Sequence, residues 1–568
     1  MMEGGNEIPR GIELGADVCI VGAGAAGIAI ALELMDRDLS VLVLESGVLK
    51  HDPRVQALYA GEVTDPSLHS PPDRYRDRRF GGTTVTWGGR CMPYDPIDFE
   101  SRAALPLSGW PIGYDDVLPF YPRANALLEA GRFEYDAEKA FDPPVPPLIK
   151  GFVSDRVRTN GLERFSCPTN FAVRYGKRLR QSANVRVILG ANCTGIHLRP
   201  DGTRVRDLSV ATLEGNRFSV AAQSVILAVG GLETARLLLS SRDVTPGGVG
   251  NHHDVVGRYY MCHIAAAVGT LMVNGPPSDV RHGYEVSPDG VYCRRRLSLT
   301  ADEQRRLGVA NIVARLHFSR VTDPAHRNGV LSGLFLAKPL ISYEYGKRLH
   351  DGPPATVGTY LRHLRNVVIH PWDTTAFLGH WIAKRTLAQR RYPSVILRNR
   401  TNRFSLEIHA EQQPLATSRV SLSDKVDALG MPEIRVEWRY SGADIDSVRR
   451  TLDVFAEEFA RSGVARFEYD SATLEEDLMR FGAYGGHHTG TARMGTDVRT
   501  SVVDADCKVH GVSNLFIAGS AVFATSSQAN PTLTIVAMAL RLARHVASRT
   551  ASRTAFRVER TSPAPVEA

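Results

Sequence analysis

Three glycines, Gly22, Gly24 and Gly27, follow the apolar run at 17–21 in GxGxxG spacing. Where a strand hands over to a helix, the first makes a tight turn, the second lets backbone approach a pyrophosphate, and the third packs helix closely on strand. A helix opening there turns unpaired N–H groups and the positive end of its dipole toward phosphate. Glu45 stands 21 residues after Gly24, closing the next apolar run. Its carboxylate is placed to accept from the ribose hydroxyls of an adenosine half, and an acid there disfavours a 2′-phosphate. The motif predicts a dinucleotide site and leaves FAD and NAD open. No second GxGxxG occurs in the chain.

A second reactive run is GGHHTGT at 485–491. Glycines on both sides of His487 and His488 indicate backbone passing close to a ligand. An imidazole, with an unperturbed pKa of about 6.5, can take up a proton near neutrality. Asn530-Pro531 reads as a helix start, Asn at the N-cap and Pro at the first helical position, before TLTIVAMALRLARHV. In the loop RFGGTTVTWGG at 79–89, Gly81, Gly82 and Thr83 can follow a pyrophosphate and a ring system closely. Trp87 in that loop either stacks on the ring or lies beneath the loop as a core aromatic. His252, His253 and His263 have no further ligands at metal spacing, so no metal is expected. The seven cysteines are odd in number and form no CxxC pair, which leaves disulfide, iron–sulfur and c-type haem frameworks without support.

The elements that must position these groups are legible in outline. Residues 17–47 alternate strand, helix and strand in a βαβ pattern. A second strand set, at 185–190, 194–198, 205–213 and 217–231, runs into the helix LETARLLLSS. Alternating patches between 271 and 480 suit an open sheet lined by helices, and FDPPVPPL at 141–148 is a stiff connector. With 568 residues, 43% hydrophobic and 23% charged, the chain is globular and large enough for two domains. A net charge of +7 over that length is a weak field, and no nucleic-acid partner is expected. The N-terminus carries no apolar signal region, so a cytoplasmic protein is expected. The uncharged stretch 511–540 is interrupted by Ser, Gln, Asn and Pro; it reads as buried core, and no membrane partner is expected.

The opening βαβ unit, RRFGGTTVTWGGRCMPYDP at 78–96, ILAVGGLETARLLLSS at 226–241 and the block from HHTGTARMGTD through ANPTLTIVAMALRLARHV resemble the glucose–methanol–choline (GMC) oxidoreductases. Together these segments span about residues 14–547. The ANPTLT ending resembles the branch holding pyranose oxidases, bacterial glycoside 3-oxidases and sugar dehydrogenases. Glucose and aryl-alcohol oxidases usually carry a second histidine where this chain has Asn530. The resemblance implies an α/β fold: a Rossmann-like FAD-binding domain over 14–130, 185–270 and 485–550, and an α+β substrate-binding domain over 271–484. That second domain would be built on an open, mostly antiparallel sheet, and 551–568 would form a flexible tail. The implied reaction is oxidation of a secondary hydroxyl of a sugar or glycoside to a ketone by hydride transfer to flavin N5. Electrons would pass to dioxygen or a quinone-like acceptor. A non-sugar alcohol (aryl, sterol or polyol) is the alternative substrate.

Carried over residue by residue, the family pattern HxxGT makes His487 the catalytic base, with Gly490 and Thr491 following, and Asn530 its partner. His488 falls outside the register and is assigned to the substrate side. Glu411, Gln412 and Gln413 join it there, in the segment HAEQQPLATSRVSLS expected to cross above the flavin. Cofactor contacts are expected from Ala25 and Ser46 beside the glycine motif, and from Arg79, Thr86, Gly88 and Gly89 in the second loop. Cys193, Ala228 and Gly230 would add contacts from the second strand set. Gly519 and Ser520 would lie near the phosphates or ribityl chain. Asn530, Pro531 and Thr532 would aim a helix N-terminus at the flavin. Thr86 stands where fungal pyranose oxidases can carry a flavin-linking histidine, so the FAD is expected to be non-covalent.

Overall fold

The computed structural model describes residues 1–318, 321–340, 355–394, 396–397, 399, 401–550 and 558–560. Two large sheets organise it. In the first, the order is Met2–Gly4, Val185–Leu189, Val41–Glu45, Ile12–Val21, Arg217–Leu227, Val205–Ala211 and Asn192–Leu198. The strands from Met2–Gly4 to Arg217–Leu227 run parallel, and Leu515–Ile517 adds in parallel to the last three residues of Arg217–Leu227. The lower half of Arg217–Leu227 instead pairs antiparallel with Val205–Ala211. Val41–Glu45 is buried throughout, as expected of a parallel strand covered on both faces. Helices α1 (Ala25–Leu34) and α2 (Gly231–Ser240) leave the carboxyl ends of the two central strands.

The second sheet is antiparallel along its path: Ala465–Glu468, Met261–Val273, Arg403–Ala410, Ile312–His317, Tyr292–Leu299, Val157–Phe165 and Arg90–Cys91. Ala483–Thr489, the strand with both histidines, pairs with the start of Met261–Val273. Gly485 and Gly486 in it take φ of +74° and +63°. That backbone is open to glycine and strained for other residues, and it shifts the register between Met261 and His263. Beyond Ile312–His317 lie three helices, α3 (Gly329–Leu336), α4 (Val357–Ile369) and α5 (Pro371–Trp381). They surround a small separate core of Val321, Val330, Leu331, Phe335 and Leu397.

The last long helix, α6 (Thr532–Arg549), packs against α1, whose Ala26, Gly27, Ile30 and Ala31 are buried. It opens one residue later than the sequence indicates. Pro531 occupies the N-cap with no side-chain cap, because the Asn530 amide is engaged elsewhere. The stretch 511–540 is core, as its composition indicates. Among the described residues, no helix is long and apolar enough to cross a membrane. Most of the tail expected over 551–568 lies outside the described residues; Val558–Arg560 pairs with the start of Ile12–Val21.

Candidate functional site

The dinucleotide residues converge at the carboxyl ends of the parallel strands, where open α/β sheets bind ligands. Gly22 and Gly24 follow Val21, Glu45 closes its strand, Ala228 and Gly230 follow Leu227, and Gly519 and Ser520 follow Ile517. Gly27 and Gly24 differ in what surrounds them. A Cβ on Gly27 would meet the Gly22 carbonyl oxygen at 1.9 Å, so this position lets α1 pack on the turn. A Cβ on Gly24, Gly230 or Gly519 would meet nothing within 4 Å. These three glycines therefore border open space, beside a helix N-terminus that no side chain caps. The loop at 79–89 closes over it: Gly81 N donates to the Ala23 carbonyl at 2.9 Å, and a Cβ on Gly82 would lie 2.9 Å from Gly24 Cα. Thr83, Thr86 and Gly88 are exposed on that loop. This cradle fits the pyrophosphate of a dinucleotide.

Glu45 is buried, and it does more than wait for a ribose. Its Oε2 accepts from Ala23 N and its Oε1 from Gly47 N, both at 2.7 Å, so it also holds the glycine turn in shape. Oε1 also accepts from Ser46 Oγ at 3.4 Å, and Oε2 keeps a further lone pair for a hydroxyl donor. Trp87 donates its indole N–H to the Thr169 carbonyl at 3.0 Å and packs against the core, which matches the core-aromatic reading. Cys193 is half-buried, its thiol pushed up to about 12 by burial. Arg79 pairs with Asp77 at 2.8 Å. Its neighbours Arg76 and Arg78 both pair with Glu233 in the first turn of α2, tying the surface segment before the loop to the sheet.

His487 and Asn530 meet: Asn530 Nδ2 lies 3.0 Å from His487 Nε2. On the other side, His487 Nδ1 lies 2.9 Å from His263 Nδ1, and His263 Nε2 lies 3.1 Å from the Ser526 carbonyl. A carbonyl can only accept, so His263 carries its proton on Nε2 and offers a bare Nδ1. His487 therefore donates from Nδ1, and its Nε2 is left as a lone pair that accepts from the Asn530 amide. One chain of hydrogen bonds thus sets the His487 tautomer to that of a base. The buried Asn530 Oδ1 has no protein partner; it remains an acceptor for a ligand hydroxyl. Burial, then the neighbouring His263 and Arg90, hold His487 well below the usual histidine range. Burial brings His263 down to about 4.

The loop presenting Asn530 is held from several directions. The Ser526 carbonyl accepts from His263 and Tyr94, the Gln528 carbonyl accepts from His409 Nδ1, and Ser527 Oγ donates to Asp98. Ser527 sits at φ +54°, a conformation that neighbouring contacts must maintain. Burial, with Glu411 and Asp95 nearby, raises the Asp98 carboxyl to about 8. Sequence spacing singles out neither Asp98 nor His409, and it raises His263 only as a metal ligand. The three lie far apart along the chain, and no local pattern marks them.

Two expected pocket residues are corrected. Glu411 is buried in a bidentate pair with Arg102, at 2.6 and 2.9 Å, and its Oε2 accepts from Asn311 N. Gln412 Oε1 accepts from Cys262 N and the Trp438 indole, while its Nε2 donates to the Arg439 carbonyl. Both are spent on packing, because a buried carboxylate or amide must have its partners inside the protein. Gln413 is half-buried; its backbone N–H donates to Asp444. His488 faces away from His487 into a group with Tyr260, Cys262 and His69: its Nδ1 lies 2.5 Å from the Tyr260 hydroxyl, which lies 2.8 Å from His69 Nε2. His69, Cys262 and His488, and separately His263, His409 and His487, are close enough to share an ion.

Residues 414–539 match the family model for GMC oxidoreductases, C-terminal part. Over those residues the chain is similar to the GMC oxidoreductases. That similarity supports FAD as the occupant of the cradle described above. The chain is 23% identical to a 2-methyl-1,2-propanediol dehydrogenase of Mycolicibacterium austroafricanum, over 94% of this chain and 95% of that one. A shorter match, 40% identical over 23% of this chain and 25% of the other, is to a C-glycoside 3-oxidase of Microbacterium trichothecenolyticum. The fold is similar to that of pyridoxine 4-oxidase from Mesorbium loti, with a TM-score of 0.53, 19% identity and coverage of 93% and 98%.

Proposed function

We propose that this chain is a GMC oxidoreductase and oxidises a secondary hydroxyl of a sugar or glycoside to the ketone. The observation that carries the reading is the His487–Asn530 pair: a bare imidazole Nε2 beside an amide whose buried oxygen has no protein partner. A substrate hydroxyl entering between them donates its proton to His487 Nε2. Asn530 then holds the same hydroxyl from its side, its Nδ2 donating to the hydroxyl oxygen. When bound, FAD supplies the acceptor for the hydride that leaves the carbinol carbon. His487 stays neutral and ready because burial disfavours its charged form. The protein thus has to hold one carbon in position and receive one proton.

The FAD-binding part is read as 14–130, 185–270 and 485–550 and the substrate part as 271–484; Val157–Phe165 of the second sheet lies outside these ranges, and Met261–Val273 crosses the boundary at 270. The glycoside 3-oxidase similarity supports a glycoside substrate. The diol dehydrogenase similarity favours a small polyol as second reading, and the withdrawal of Glu411 and Gln412 from the pocket leaves that reading room. Dioxygen or a quinone-like molecule takes the electrons. Anaerobic mixing of the holoenzyme with sugars, glycosides and simple diols, following loss of flavin absorbance, separates these readings. Bleaching by diols and by no sugar or glycoside overturns the first. Thr86 offers no imidazole for attachment, so the FAD is read as non-covalent; acid precipitation is expected to leave all flavin in the supernatant.

A further inference from the structure

Helix α4 is turned inside out. Its buried residues are His363 and Asn366. His363 Nδ1 lies 3.0 Å from Ser332 Oγ, and Asn366 donates to the Pro324 carbonyl at 2.9 Å and to Ser332 Oγ at 3.1 Å. Its apolar residues point the other way. Val357, Leu361, Leu364 and Val368 form one stripe at spacings of four, three and four, and they are 77%, 60%, 50% and 68% exposed. The exposed apolar residues continue through the helix end at Ile369 and past it: Trp372, Leu378, Ile382 and Leu387 are also exposed, Trp372 at 84%. Ten of the twenty exposed large apolar side chains among the described residues lie between 357 and 387. Scattered apolar surface is ordinary, but a contiguous stripe of this kind marks an interaction site. It cannot turn inward without breaking the hydrogen bonds of His363 and Asn366.

The charge around the stripe says what covers it. Residues 355–394 carry six basic side chains, Arg362, Arg365, Lys384, Arg385, Arg390 and Arg391, against one acid, Asp373. Arg362, Arg365, Lys384 and Arg391 are exposed. A second copy of this chain would bring two basic rims together, whereas an anionic surface would meet them favourably. An outward apolar stripe with tryptophan and a basic rim is the pattern of a helix lying in a lipid headgroup layer. The segment is tied to the body of the enzyme: Arg390 donates to the Phe165 and Glu129 carbonyls at 3.0 and 3.1 Å. That same stretch of chain receives Trp87 of the 79–89 loop at Thr169.

We propose that the face formed by Val357–Leu387 docks on an anionic lipid bilayer, lying in its surface without crossing it. The inference stands independently of the flavin chemistry, and it reverses the expectation of no membrane partner. The test is flotation of full-length holoenzyme with vesicles of phosphatidylcholine alone and of phosphatidylcholine with an equal share of phosphatidylglycerol. Recovery in the floating fraction is expected with the anionic vesicles alone, and it should fall with added salt. L361S/L364S/V368S should abolish flotation, and R362Q/R365Q should weaken it roughly thirtyfold, at about fivefold per charge. Both variants should keep full flavin content and an unchanged circular dichroism spectrum. If the triple variant loses its flavin, the exposed arginine pair decides alone. Failure to float with the anionic vesicles overturns the proposal, as does equal flotation with both. A dimer that L361S/L364S/V368S dissolves, in a protein that does not float, would assign the face to a second copy instead.

Discussion

At the scale of single residues, the site turns on which nitrogen of His487 is bare. Losing the base removes transition-state stabilisation, whereas losing the orienting amide leaves proton transfer available. His487→Ala is therefore expected to slow anaerobic flavin reduction by roughly 10²–10⁴-fold. Asn530→Ala should cost less and His488→Ala least, because His488 points toward Tyr260 and away from the pair. The three must be compared at matched FAD occupancy in the reductive half-reaction, since turnover can report reoxidation or product release. A larger loss in His488→Ala would move the base one residue along. His263 acts through His487 and is a positioning residue. It receives the Nδ1 proton of His487 and also depresses the His487 pKa. His263→Ala should thus lower the rate of flavin reduction and shift the acid limb of its pH profile upward. A lowered rate with an unmoved limb would leave His263 a merely structural role.

At the scale of elements, the glycine turn and the strand-end acid work as one unit. Beyond the ribose expected of it, Glu45 makes two backbone hydrogen bonds that shape the turn around Ala23 and Gly47. Glu45→Ala should weaken FAD retention through both losses. Glu45→Gln keeps one acceptor oxygen and should lie between wild type and Glu45→Ala when FAD dissociation is measured by dilution. Equal retention in all three proteins would remove Glu45 from the cofactor site. The catalytic elements follow the same logic of convergence. His487 lies on a strand of the second sheet and Asn530 on the loop before α6, and that loop is gripped by His263, His409, Tyr94 and Asp98. Such a grip presets the amide before substrate arrives, which is how positioned groups act without reorganising.

At the scale of the whole molecule, acid should be the condition that loosens it. His263, His409, His487 and His488 are all held below the usual histidine range by burial. Below about pH 6.5 the unfolded chain takes up protons that the folded chain refuses, so stability falls as pH falls. The loss runs from about 6.5 down to the folded-state values, about 4 for His263, at up to about 1.4 kcal/mol per pH unit for each histidine. Urea midpoints between pH 7 and 5 would measure it; a flat profile there would show that the folded and unfolded chains take up protons alike. The βαβ unit, the packing role of Gly27, the strand ends and the core character of 511–540 were legible in the sequence, because turn chemistry and apolar periodicity act over a few neighbouring residues. The resemblance of the C-terminal block brought His487 and Asn530 into view. Tertiary structure alone decided the rest. Glu411 became a buried ion pair because Arg102, distant in sequence, arrives beside it. His263 became the partner that sets a tautomer because two strands pair across a glycine-shifted register. The apolar stripe of α4 has the spacing of any core-facing helix, and only the inward hydrogen bonds of His363 and Asn366 turn it toward the outside. Periodicity fixes which side chains share a face; what that face meets depends on partners that only folding brings together.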